Sequence, residues 1–132
     1  METDRVVGRF KDGSLIKGKI HDFSIDESKF SFETIQGQVR EISVEELKAI
    51  FWVKDFQGNK NHKDKFNFEL DLGGRRVRVK FFDGELIIGH TIGYSSDQPG
   101  FFMIPLDIDS NNKGVFVIKS ATEIIDFLDS PN

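Results

Sequence analysis

Arg76, Arg78 and Lys80 alternate with Val77 and Val79 in the stretch GRRVRVK. On a strand this spacing sends the three cations to one face and the valines to the other. Arg75 extends the charge at the start of the stretch, and Lys60, Lys63 and Lys65 precede it. A cationic face of this kind can hold an anion such as phosphate, a nucleotide or an RNA backbone. Arg75, Arg76, Arg78 and Lys80 are therefore the candidate anion-binding residues. The competing reading is a solvated face neutralised across the Gly73–Gly74 turn by Glu69 and Asp71, because opposite charges commonly pair across strands.

Other residues with chemical potential have simpler explanations. Asp12 and Asp83 could be paired carboxylates, but each precedes a glycine in a turn, and turn chemistry explains both. DIDSNNKG begins with Asp107, Asp109 and Asn111 at the alternating ligand positions of a calcium loop. The sixth position then holds Asn112 where glycine is needed, and the twelfth holds Ile118 where glutamate is needed, so a surface turn is expected. His21, His62 and His90 lack metal-ligand spacing. No serine sits in a nucleophile elbow and no glycine-rich loop cradles phosphate. The expectation is a non-enzymatic chain with no catalytic residues, no metal and no cofactor.

The elements that must position these residues are written twice. FKDGSLIKG, Phe10 to Gly18, recurs as FFDGELIIG, Phe81 to Gly89, 71 residues on. Val6 matches Val77 and Phe30 matches Phe101, and with a further shift Ile50 and Phe51 match Ile124 and Ile125. Asp-Gly between β-rich flanks predicts a hairpin, with positive φ at both central residues if the turn is type I′. Gly18 and Gly89 then fall inside a strand, where glycine marks a bend, a bulge or a close backbone approach. SKFSFET, GQVREIS and the run Ala49–Val53 read as further strands, with VEEL as one helical or 3₁₀ turn between them. GFFMIPL and GVFVI repeat the pattern. In SATEIIDFL, Ala121, Ile124, Ile125 and Leu128 have helical spacing, but the repeat favours a turn followed by a strand.

This predicts an all-β fold of two tandem five-stranded small barrels, packed together because each alone buries a modest fraction of its surface. Residues 1–56 form the first barrel, 57–64 a polar linker, and 65–132 the second barrel with an added N-terminal strand. In that strand Phe66, Phe68, Leu70 and Leu72 share one face, giving an extra hairpin strand at the junction.

Composition narrows the classes. Apolar residues make up 38% and charged residues 30%, a globular mixture rather than a disordered one. Fourteen phenylalanines against one tryptophan and one tyrosine point to a core rich in rings without polar handles. The formal charge of -4 gives no general attraction to nucleic acid or anionic lipid. The chain has no cysteine, which excludes disulfides and thiolate sites. METDRVVGRF lacks the apolar run of a signal peptide, and no stretch is long and apolar enough to span a bilayer. A cytoplasmic protein without a membrane partner is expected.

VVGRFKDGSLIKGKIHDFSIDESKFSFE resembles the first motif of Sm-like proteins, with its alternating apolar residues, Asp-Gly turn, following glycine and apolar–Asp or Phe–Asp corner. VRVKFFDGELIIGHTIGYSS resembles it more loosely. The resemblance implies SH3-like five-stranded barrels, in a family that forms rings and binds RNA. RNA binding in that family uses an Asp and an Asn after the second strand and a basic–Gly pair later. Here Asp22 stands in a loop without Asn, GYSSDQPGFF also lacks it, and neither VEELKA nor KSATEI holds Arg-Gly. The resemblance therefore implies the barrel and not the RNA site. GRRVRVK superficially resembles a PilZ-type cyclic-dinucleotide motif, but the downstream Asp/Asn-x-Ser-x-x-Gly element is absent. Two weakly Sm-like units in a short acidic chain also resemble uncharacterised bacterial proteins and response-regulator attachments. The function expected is an interaction module with a protein partner. Weak RNA or nucleotide binding at the basic strand is the alternative, and homo-oligomerisation stays open.

Overall fold

The alternating stretches fold as strands throughout the computed structural model, which describes residues 5–24, 27–56, 74–106 and 111–128. In chain order they are β1 (Arg5–Phe10), β2 (Leu15–His21), β3 (Lys29–Thr34), β4 (Val39–Ser43) and β5 (Leu47–Val53). Then follow β6 (Arg75–Phe81), β7 (Leu86–Thr91), β8 (Gly100–Pro105), β9 (Asn112–Ile118) and β10 (Thr122–Phe127). Single 3₁₀ turns, Val44–Glu46 and Lys119–Ala121, precede β5 and β10. The helical spacing in SATEIIDFL is thus not used, and the turn-then-strand reading holds. The added strand with Phe66, Phe68, Leu70 and Leu72, and the linker 57–64, lie outside the described residues.

Every pairing is antiparallel, and the ten strands form one sheet in the order β10-β6-β7-β8-β9-β5-β1-β2-β3-β4. The sheet closes into neither of the two packed barrels expected from sequence. The sheet is open, with β10 and β4 at its edges among the described residues. The physical reason is the seam in the middle. β5 pairs with β9, with Ile50 opposite Phe116 and Phe51 opposite Val115, and this joins the halves edge to edge. Each half nonetheless follows the same succession, β5-β1-β2-β3-β4 and β10-β6-β7-β8-β9. The registers agree as well: Val6 faces Gly18 as Val77 faces Gly89, and Phe30 faces Ile42 as Phe101 faces Val117.

The two seam strands are buried on both faces. Ala49, Phe51 and Val53 of β5 pack with Val77, Val79, Phe81, Val115 and Val117 in one core. Leu47 and Ile50 pack with Phe30, Phe32, Phe116 and Ile118 in the other. This double burial explains why β5 reads as a continuous apolar run and not as an alternation.

The hairpin turns differ from expectation in one detail. Phe10 N–H donates to Ser14 O at 2.9 Å and Gly13 N–H to Phe10 O at 3.0 Å, which leaves a loop of three residues, Lys11 to Gly13. Phe81, Gly84 and Glu85 repeat the arrangement. Gly13 and Gly84 have φ of 92° and 93°, whereas Asp22 alone among the described non-glycine residues has positive φ. The turn is therefore a β-turn closed by a left-handed glycine, not a two-residue type I′ turn. Gly18 and Gly89 mark close backbone approaches. A Cβ there would lie 1.9 Å from Glu33 O and 2.1 Å from Ile104 O.

Candidate functional site

On β6 the expected alternation is realised, with Val77, Val79 and Phe81 in the core and Arg78 exposed on the opposite face. Among the described residues, acids that meet the basic face come from β10. Arg78 lies opposite Asp126 and donates from Nη2 to its Oδ2 at 2.6 Å. Lys80 Nζ lies 3.8 Å from Glu123 Oε2. The Arg75 guanidinium stacks 3.8 Å from the centre of the Phe127 ring. Arg76 is half-buried, opposite His90 on β7. Glu69 and Asp71, the acids expected to neutralise this face, lie outside the described residues. Exposed ion pairs of this kind hold strands in register and contribute little net stability.

A second charged cluster sits across the seam. Lys48 interrupts the apolar strand β5, at the residue skipped in its pairing with β1. Its side chain is only 6% exposed, and Nζ donates to Asp83 Oδ2 at 2.7 Å and to Glu85 Oε1. The ammonium also lies 4.7 Å from the Phe81 ring centre. The hydrogen bond from Lys48, followed by one from the Glu85 N–H, holds the Asp83 carboxyl below its ordinary value. A short distance away, Lys11 Nζ donates to Ser120 Oγ at 2.7 Å. Both residues of that pair are exposed, unlike the desolvated setting in which a lysine activates a nucleophile. These contacts tie the turn before β7 and the second 3₁₀ turn to the first half. The sequence signal for Lys48 was its position, a single cation inside Leu47–Val53, and reading Asp83 only as a turn residue concealed its partner.

The seam opens into clefts along its 3₁₀ turns. One of about 760 Å³ is lined by Lys29, Glu45, Pro99 and Lys119 among others, and one of about 660 Å³ by Lys11, Asp12, Glu45, Glu46 and Ser120. Their linings mix both signs of charge. The remaining sequence candidates are accounted for locally. Asp12 Oδ1 accepts from Ser14 Oγ at 2.6 Å and from Ser14 N–H at 2.8 Å, which lowers its pKa and fixes the turn. His21 Nε2 contacts Glu33 Oε1 at 3.0 Å. His90 is buried in β7, and His62 lies outside the described residues. Asp107 and Asp109 also lie outside them, while Asn111 exchanges hydrogen bonds with the Asp55 backbone at 3.0 and 2.9 Å. Among the described residues no three His, Cys, Asp or Glu side chains group as metal ligands would. No helix among them is long and apolar enough to cross a membrane.

The outer face of β8 presents a different surface. Phe102 and Ile104 are 45% and 47% exposed, while Phe101 and Met103 between and beside them are core. Phe102 packs its ring 4.8 Å from Phe116, 5.4 Å from Trp52 and 6.4 Å from Phe23, measured between centroids. Phe23 in turn meets Phe116 and Phe30 edge-on. An aromatic cluster thus spans the seam with one side open to solvent.

Fold and surface define an all-β protein built on one open antiparallel sheet. Residues 2–129 match the model of DUF6982, a family of unknown function, and the chain belongs to that family. The family matched is not the Sm-like one that the repeated motif resembles. No curated protein and no solved structure matches the chain.

Proposed function

We propose that this chain is a non-enzymatic interaction module that engages a protein partner through Phe102, Ile104 and the aromatic seam beside them. The exposure of Phe102 and Ile104 next to Trp52 and Phe23 carries the reading. Exposed apolar clusters with a polar surround are where partner side chains dock, and aromatic residues are enriched at the centres of such contacts. In this reading each half is a copy of one small-barrel unit, and joining the copies creates the aromatic surface, since Phe23 and Trp52 come from one half and Phe102 and Phe116 from the other.

The alternative is weak binding of RNA or a nucleotide at Arg75, Arg76, Arg78 and Lys80. It must compete with Asp126 and Glu123, which already face Arg78 and Lys80. One experiment separates the two. The parent, Phe102→Ser and Arg76→Ala/Arg78→Ala are used as bait in an extract of the native cell, and both protein and RNA are recovered. The interaction module expects a protein retained by the parent and the arginine variant and lost with Phe102→Ser. RNA retained by the parent and lost with the arginine variant supports the alternative and overturns the lead reading.

A further inference from the structure

The seam is a head-to-tail contact: the fifth strand of one half pairs with the fourth strand of the other. Among the described residues such a contact leaves a fourth strand, β4, at one edge and a fifth strand, β10, at the other, so in principle it can repeat without end. The registers show which residues would occupy a second seam. Phe102 faces Phe116 and Gly100 faces Ile118 in one half, as Ser31 faces Glu41 and Lys29 faces Ser43 in the other. Glu41 and Ser43 thus stand where the seam buries Phe116 and Ile118. Likewise Val7 faces Phe51 as Arg78 faces Asp126. The apolar pair that the seam covers is replaced at the free edge by an ion pair.

We infer that Glu41 and Asp126 terminate the sheet: they keep a second copy of this chain from adding at β4 or β10, and the basic face of β6 belongs to that termination. Both carboxylates have local counter-ions, Glu41 Oε1 at 3.7 Å from Lys29 Nζ and Asp126 at 2.6 Å from Arg78. Docking by the seam's geometry would carry Glu41 into the apolar site that Phe116 fills. It would also bury Asp126 between Arg78 and Arg40 of a second copy, as Phe51 is set opposite Val115, and desolvating such a charged cluster offsets the attraction within it. Burying carboxylates is costly where burying phenylalanines is favourable. Charged edges are a recognised protection of sheets against edge-to-edge growth. The exposure of Val39 and Ile124 agrees with free edges. This inference stands apart from the proposed binding surface, because its residues lie on other strands and its readout is mass.

The test is sedimentation velocity of the full chain over a wide concentration range. It compares the parent with Glu41→Phe/Asp126→Phe and with the smaller Glu41→Val/Asp126→Val, whose β-branched residues suit strands. The parent is expected to sediment as a single chain throughout. Its β4 and β10 amides should exchange at rates independent of concentration. The phenylalanine variant should associate roughly a hundredfold more tightly, from the apolar area of two rings, and the valine variant less so. If the first variant fails to fold, the second is read by the same criterion. Association of the parent with protection of β4 and β10, or folded apolar variants that stay single at every concentration, would overturn the inference.

Discussion

Lys48 Nζ meets Asp83 Oδ2 at 2.7 Å across the seam, and the two ends of this contact differ in setting. The lysine side chain is 6% exposed and the aspartate side chain 54%. Removing one end should therefore not equal removing the other. Asp83→Asn/Glu85→Gln leaves a buried ammonium without a carboxylate and should cost about 3–5 kcal/mol. Lys48→Met keeps the buried stem and leaves acids that water can solvate, so it should cost about 1 kcal/mol or less. Denaturant unfolding of both variants measures the difference, and equal costs would deny the asymmetry.

Acid should weaken the fold in a defined window. Asp83 is held below its usual 3.8 chiefly by the hydrogen bond from Lys48, and Glu33 below its usual 4.5 chiefly by that from His21. A group with a depressed folded pKa contributes stability that is complete above its unfolded value and lost as pH falls through the folded one. The melting temperature should hold from neutral pH down to about 4.5 and then fall. The gap between the parent and Asp83→Asn should narrow below the 3.8 of an unperturbed aspartate. A gap unchanged by acid would show that this carboxylate does not contribute in its charged form.

Gly18→Ala and Gly89→Ala should each destabilise by about 1–3 kcal/mol or prevent folding, because the new methyl meets a carbonyl oxygen and not a yielding side chain. Thermal unfolding reads the effect. A variant that melts with the parent would mean the strands are not so close.

Phe51→Ala should cost about 3–5 kcal/mol, since its ring is buried where the seam joins the second core. Phe82→Ala, 68% exposed in the turn after β6, should stay within about 0.5 kcal/mol. Equal effects would place Phe51 outside the core.

The alternation in KFSFET and RVRVKF led directly to β3 and β6, and Gly18 and Gly89 announced a bend, a bulge or a close approach, of which the last is found, because both signals are local. The partner of β5 was not legible. A continuous apolar run such as Ala49–Val53 reports burial on two faces but does not say which strand lies alongside. Matching like with like also misled the register. Ile50 and Phe51 pair by sequence with Ile124 and Ile125, yet the pairing to β1 and β6 sets Ile50 with Ile125 and Phe51 with Asp126. Asp126 is unlike Phe51 because no described strand covers that position in the second half. Lys48 was passed over for a related reason: its two acids come from a hairpin 35 and 37 residues away.

The most direct test of this architecture is the set of backbone proton contacts across the middle of the sheet, measured by NMR on the labelled chain. One open sheet predicts contacts between β5 and β9, with Ile50 near Phe116 and Phe51 near Val115, and none between β4 and β5 or between β9 and β10. Contacts joining β4 to β5 and β9 to β10, with none from β5 to β9, would mean two closed barrels and contradict the seam on which the rest depends.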